Sequence, residues 1–595
     1  MANEITHNFP LKPDAYAAFD AISLRNLIIQ RLNEQGLVTD QNYIGSNLAS
    51  IIDIISFSFN TLIYYLNRTS NESMFTEAQL YENINRIVKL LDYKPIGYQT
   101  STLAFNCSTS SFLKGDYTIP RYSYIMAGGT PFSFNEDITF TVLQDNVALE
   151  LTDLSNKKLL YQGVFKEYPI HIAAGDLNET IIVNVTNTTV DHFNVFVYVY
   201  EQKQKKWVEY KEVSNNYTQN SFARTFEKKL NSNLLYEITL GDGINGRRLE
   251  EGDKVAIYYL QSAGADGVIG PNVLEGTTAA KVIYSTPTYD QILASINNES
   301  YTYINNFQFS RLAFANPVGS TLPKNIETAD SIRANAPLNF KSQMRLVTQD
   351  DFENYIKTNF ANFISDVRVF SNWDYTGKYL KYFHDINLNP GGFRQVILNQ
   401  VLYADSCNFN NIYVCGLPRV SKGSTLKYLL PAQKEIIASN INLLKTITTE
   451  VSFLDPIYKA INFGILINNE TIINEVNAYK IVLSRYSNSK RSLRSIKQEV
   501  VNTFKTFFDQ TNIKLGAMFD YSKLYGLLMS IEGVSKIVTQ NMDTNQTFEG
   551  LSFFLWNPIY PDLDKLTLVN NYALQDFELM YFENLSTIET RIDVI

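Results

Sequence analysis

The segment Gly241-Asp-Gly-Ile-Asn-Gly246 has the spacing G-x-G-x-x-G, and Asp266 lies downstream where a ribose-binding acid would stand. In a dinucleotide site such glycines let a backbone turn approach a pyrophosphate, which the N-terminus of the following helix then holds. No helix is expected after this turn. Arg247-Arg-Leu-Glu-Glu-Gly-Asp253 leads into Lys254-Val-Ala-Ile-Tyr-Tyr-Leu260, whose β-branched and aromatic residues predict a strand. Strand, Asn-Gly turn, short return, Gly-Asp turn and strand together predict a structural hairpin motif on Gly241, Asp242, Gly243, Asn245 and Gly246, with no cofactor. Asp242 with Asn245 is a conceivable calcium pair, but the spacing is not that of an EF-hand loop. His7, His171, His192 and His384 are scattered without paired-ligand spacing, and no nucleophile elbow, Walker loop or C-x-x-C occurs. Asp350, Asp351 and Glu353 fall where a helix begins, and the helix dipole accounts for acids there. The sequence therefore predicts no catalytic, cofactor-binding or metal-binding residues, and a chain that is not an enzyme.

Composition narrows the partners. At 595 residues the chain is too long for one hydrophobic core, and about three to five domains are expected. A formal net charge of −9 gives little affinity for phosphates, so no nucleic-acid partner is expected. The local exception is Arg485, Lys490, Arg491, Arg494 and Lys497, read as a solvated face or a protein contact. Cys107, Cys407 and Cys415 do not make a disulfide framework. Cys407 and Cys415 could meet across a hairpin, but buried free thiols fit a reducing compartment better. Met1-Ala-Asn-Glu-Ile has no basic and apolar leader, so no secretory signal is expected. The abundant Tyr and Phe suit strands and interfaces, although an AT-rich gene would enrich them equally.

The elements that would position any site read as follows. Residues 14–92 predict three helices, the first with an apolar stripe through Tyr16, Phe19, Ile22, Leu24, Leu27, Ile28 and Leu32, ending at Gly36. The second, near Leu48–Leu66, is apolar almost all round. A helix with no polar face must be covered on several sides, more than two neighbouring helices supply. Leu48, Ile51, Ile52, Ile55, Phe59, Leu62, Ile63 and Leu66 are the predicted interface with partner helices. Asp53, Ser56, Ser58, Asn60 and Thr61 interrupt the segment, so no membrane insertion is expected. Thr76 and Gln79 predict a capping box opening the third helix, and Asp92-Tyr-Lys-Pro95 ends it. From Thr100 to Tyr284 a period of two with frequent turns predicts an antiparallel β-domain. A helix from Glu327 is expected to break at Ala336-Pro337, and another begins at Thr348, whose box partner is Asp351. From Phe363 strands and helices alternate, including strands at Ile364–Phe370, Gln395–Tyr403 and Ile412–Cys415. The expected class is α+β and multidomain: an N-terminal long-helix arm (1–95), an antiparallel β-domain (96–285), a helical connector (286–360), and a C-terminal α+β region divided as 361–470 and 471–595.

Three separated motifs carry a resemblance. Leu80-Tyr-Glu-Asn-Ile-Asn-Arg-Ile-Val-Lys-Leu-Leu-Asp-Tyr-Lys-Pro95 feeding directly into strands is one, with Asp92 where a glycine is frequent. Gly241-Asp-Gly-Ile-Asn-Gly246 followed by Glu251-Gly-Asp253, Tyr258-Tyr259 and Gly264-Ala-Asp-Gly267 is the second. Ala336-Pro337, Phe340 and Arg345-Leu-Val-Thr348 before an acidic helix start are the third. In this order they resemble the baseplate wedge proteins of contractile-tailed phages, T-even-like inner-ring subunits and baseplate J-like proteins included. Such a resemblance implies a structural virion protein of the tail baseplate, assembled in the host cytoplasm. It implies that the helical arm bundles with a second copy of the chain and with other baseplate wedge proteins, a sheath-initiator-like protein among them. It further implies that the C-terminal region meets ring neighbours around the central hub, and that the ring rearranges to trigger sheath contraction. The alternatives are a receptor-binding, adhesin-like virion protein, or the equivalent subunit of a bacterial contractile injection system.

Overall fold

A computed structural model describes residues 21–35, 46–91, 93–109, 111–146, 149–151, 157–185, 189–231, 233–276, 278–296, 302–343, 345–386, 411–419, 428–465, 478–509, 514–561 and 563–595. Tyr16, Phe19, Gly36, His7, Cys407 and the strand expected at Gln395–Tyr403 lie outside these residues. The chain divides into two compact units, one of residues 1–95, 231–234 and 328–337, the other of the remainder.

The first unit is helical: α1 (Ala21–Gln35), α2 (Asn47–Glu72), α3 (Tyr81–Val88) and the start of α4 (Ala329–Ser342). Ser46 opens α2, its Oγ accepting from the Ala49 N–H at 3.0 Å, which satisfies one orphan donor of the first turn. Polar residues inside α2 quench themselves. Thr61 and Thr69 donate to the carbonyls of Phe57 and Tyr65 one turn back, so their hydroxyls need no outside partner. The expected box at Thr76 and Gln79 does not form, because α3 starts later, at Tyr81. Glu72, the last residue of α2, takes over: its carboxylate accepts from the N–H groups of Gln79 and Leu80 and from Asn83 Nδ2 at 3.0–3.3 Å. An acid there also complements the helix dipole. Ala78, Ile84, Val88 and Tyr93 form this unit's core with Ile332 and Ala336 of α4. The break expected at Pro337 is absent, since α4 runs through it. Burial of Ile332 and Ala336 one turn apart, and the Arg333 guanidinium bound to the Ala78 carbonyl at 2.7 Å, hold the backbone helical at the residue before the proline.

The second unit is built on sheets. Its largest contains β1 (Val164–Glu167), β2 (His171–Ile172), β3 (Thr180–Val183), β4 (Thr189–Glu201), β5 (Lys206–Val213), β6 (Thr225–Leu230), β7 (Tyr236–Leu240) and β8 (Lys254–Ser262). Their order is β2-β8-β4-β5-β6-β7-β3, with β1 also on β8. Every pairing is antiparallel except β5–β6. β4 and β5 form an antiparallel hairpin, with Glu201 paired to Lys206. β7 and β8 do not pair. Three strands separate them, so Gly241–Asp253 is a crossover connection and the predicted hairpin is corrected. The glycine and Asx turn is present, but which strands pair depends on non-local partners that local sequence does not encode.

Smaller sheets cover residues 102–142 and reach forward to Ala313–Ala315, which lies between Glu275–Gly276 and Asn106–Thr109. Phe105, Phe132, Phe134, Phe309 and Phe314 share their core. Farther along, Thr348 and Asp351 form the expected capping box, opening the helix Gln349–Asn359. A three-stranded sheet (Ile364–Ser371, Ile412–Pro418, Val451–Leu454) follows. Two four-stranded sheets then pack with the helices Leu493–Phe507 and Tyr521–Met529 around Phe463, Phe504, Phe508, Phe553 and Phe582. The class is α+β with several separate cores, as composition and length require.

Candidate functional site: an exposed apolar helix and a braced crossover loop

Along α2, Leu48, Ile52, Ile55, Phe59, Leu62 and Leu66 recur at alternating spacings of four and three, the seam of a coiled coil. Ala49, Ile52 and Ser56 are the buried positions, and α1 is the element packed along this helix, with Arg25 paired to Asp53. Ile52, predicted to face a partner, is 2% exposed within the single chain and is corrected to an intramolecular contact. Leu48 and Ile63 are half-buried. Ile55, Phe59, Leu62 and Leu66 remain 40–68% exposed, and Ile51 is exposed beside them. Exposure extends to Ile54, Phe57, Tyr64 and Tyr65, which the sequence reading omitted although the all-round apolar pattern contains them. A contiguous apolar face of this length on a soluble surface is a docking surface or a liability. Flanking seam positions are Ala49, Ser56 and Ile63 on one side and Ile51, Ser58 and Tyr65 on the other, with no charge among them. Such flanks widen the apolar stripe beyond a two-helix seam and suit a bundle. By length and composition α2 also passes the requirement for crossing a membrane.

The crossover loop is held by its own polar groups. Asp242 Oδ1 accepts from the Ile244 N–H at 2.8 Å and the Asn245 N–H at 2.6 Å, and Asn245 Nδ2 reaches Oδ2 at 3.2 Å. Those donors, Asn245 N–H foremost, hold the Asp242 carboxyl below its ordinary range. Gly243 N–H bonds to the Gly246 carbonyl at 3.0 Å. A Cβ on Gly241 would meet the Gly246 carbonyl carbon at 2.3 Å, so glycine there is a packing requirement. Beyond the turn, Arg247 pairs with Glu201, which Arg224 also grips bidentately at 2.7 and 3.0 Å. Asp253 is fully buried and accepts from the N–H groups of Gln202 and Glu250. This loop opens no helix and points no N-terminus at a ligand. Gly241, Asp242, Gly243, Asn245 and Gly246 are brought together in one hydrogen-bonded turn.

The remaining candidates make their contacts within the chain. His171 Nε2 lies 2.6 Å from Glu179; burial raises that carboxyl, but the imidazole and the Ala174 N–H outweigh it and hold it low. His192 Nδ1 accepts from Gly97 N–H at 3.0 Å. Cys107 and Cys415 are buried thiols, and burial pushes Cys107 up to about 12. In the basic group, Arg491 pairs with Glu499, Lys497 with Asp593, and Arg485 binds the Arg491 carbonyl, so three of the five cations are engaged within the fold. Among the described residues no group of three or more His, Cys, Asp or Glu is placed to hold a metal ion.

No family model and no curated protein matches the chain. Among solved structures it is similar to a chain in the cryo-EM structure of the anti-feeding prophage baseplate, 6-fold symmetrised. The match covers 97% of this chain and 100% of that one at 11% identity, with a TM-score of 0.30. A likeness that distant carries no functional argument.

Proposed function

We propose that the chain is a structural subunit of a contractile-tail baseplate, and that α2 docks there against the helical arm of a second copy and a helix of another wedge protein. The observation that carries the docking is the exposed seam Ile55, Phe59, Leu62 and Leu66 beside a face that α1 covers. Covering the exposed half of each such side chain favours an assembly by about 1 kcal/mol per residue, a gain set against the entropy lost on association. The assignment to a baseplate is supported by the three motifs that resemble the wedge family, in the same order along the chain. On this reading the C-terminal region meets neighbouring wedges, and the chain works by assembly with no chemistry of its own.

A second reading has one specific observation behind it: α2 is long and apolar enough to cross a membrane. Asp53, paired to Arg25 of α1, and Asn60 within the same helix oppose it, because ionised and amide groups at bilayer depth are costly. Immunogold electron microscopy of tail particles with antibody to this chain tests the proposal. Label at the tail tip beneath the sheath supports it. Label on fibres contradicts it in favour of an adhesin, and recovery of the chain in the membrane fraction contradicts it in favour of insertion.

A further inference from the structure

Three loops at one end of the large sheet are tied to one another. Gly246 N–H bonds to the Asn220 carbonyl at 3.1 Å and Arg247 N–H to the Ala223 carbonyl at 2.8 Å, joining the crossover loop to the loop between β5 and β6. Arg248 Nε donates to the Gly175 carbonyl at 2.9 Å, joining it to the loop between β2 and β3. From these loops Leu177, Tyr217, Phe222 and Ile244 project 64–85% exposed. Three of the four stand two residues after an Asn or Asp whose side chain caps their own N–H: Asn215 for Tyr217 at 2.8 Å, Asn220 for Phe222 at 3.1 Å, and Asp242 for Ile244 at 2.8 Å. Each backbone is thus fixed at the point where it presents an apolar side chain to solvent. Rigid display of this kind spares the ordering cost of binding.

The surroundings select the occupant. Residues 173–179, 214–223 and 241–251 carry five acidic side chains against Arg247 and Arg248. Both arginines are engaged within the loops and sheet, Glu179 is held by His171 and Glu250 by Lys203, and Asp176, Asp242 and Glu251 keep the surface net acidic. A net acidic patch repels phosphate, which argues against nucleic acid and against an anionic membrane. The segment 214–223 has no charge, and its Asn, Ser, Thr and Gln residues around Tyr and Phe have the make-up of an adaptable protein-binding rim. We propose that this loop cluster is a second docking site, independent of α2, for a different protein that offers an apolar socket flanked by cationic side chains.

Hydroxyl-radical footprinting tests this on the full chain, purified alone and within the native assembly isolated from producing cells. Labelling of Tyr217, Phe222 and Ile244 should fall about tenfold in the assembly, the scale of a buried hot spot. The double variant Phe222→Ser/Ile244→Ser, altering only exposed positions, should enter that assembly about tenfold less well. It should also sediment as wild type by itself, since the α2 seam is untouched. Equal labelling in both states, or recovery of the chain only in free form, overturns the proposal. So does protection reproduced by phosphatidylglycerol vesicles alone, or by concentrating the purified chain alone. Because the variant leaves α2 intact, loss of the loop contact and loss of the helical contact are read separately.

Discussion

At the scale of single residues, buried polar groups decide more than any candidate for catalysis. Asp191 is fully buried and accepts from the N–H groups of Thr100, Phe193 and Asn194 and from the Asn194 amide. Burial raises its pKa against those hydrogen bonds. Asp191→Ala orphans three buried backbone donors, and we expect about 3 kcal/mol of lost stability, read as a lower urea midpoint. The sign at Asp242 is opposite. Its folded value is depressed below 3.8, so its contribution is fully present above that pH and is lost as the pH falls through the depressed value. Protection of the Ile244 and Asn245 amides should therefore be unchanged with pH around neutrality and be lost, relative to a matched peptide, only as the pH falls through that depressed value. The sequence made the Gly-Asp-Gly turn legible because Asx and glycine chemistry is local. It hid Glu201, Arg224 and Asp253 as anchors, because their partners come from strands distant in sequence.

At the scale of elements, α2 shows what a hydrophobic pattern does and does not specify. Its excess of apolar surface follows from composition, but the helix runs on to Glu72, past the end expected near Leu66. Which stripe is used internally does not follow from composition, since the apolar residues go nearly all the way round and only α1 breaks the symmetry. Ile52→Ala should cost the isolated chain about 2–3 kcal/mol by leaving a cavity. Leu62→Ala should cost it less than about 0.5 kcal/mol because that side chain is already in water. Thermal unfolding of the two variants at low concentration checks the contrast. Pro337 is a second lesson: local sterics predict a break, but burial of Ile332 and Ala336 overrides them. Pro337→Ala restores a helix donor and should stabilise α4 by about 1–3 kcal/mol, seen as slower amide exchange across Asn335–Phe340.

At the scale of the whole molecule, the class α+β and the existence of several cores could be read from length, periodicity and turn spacing. Strand order could not, as β7 and β8 show by pairing with other strands and not with each other, because register and neighbour choice are set by non-local burial. On the proposed reading the chain works through its surfaces, with α2 foremost. Sedimentation velocity of the full-length protein across a concentration series, beside Leu62→Asp, tests this most directly. Leu62 is exposed in the single chain, so the variant folds, and a carboxylate in an assembled seam costs several kcal/mol. The expected result is concentration-dependent association of the wild type that Leu62→Asp abolishes with its circular dichroism unchanged. Identical sedimentation of the two proteins at every concentration would contradict it.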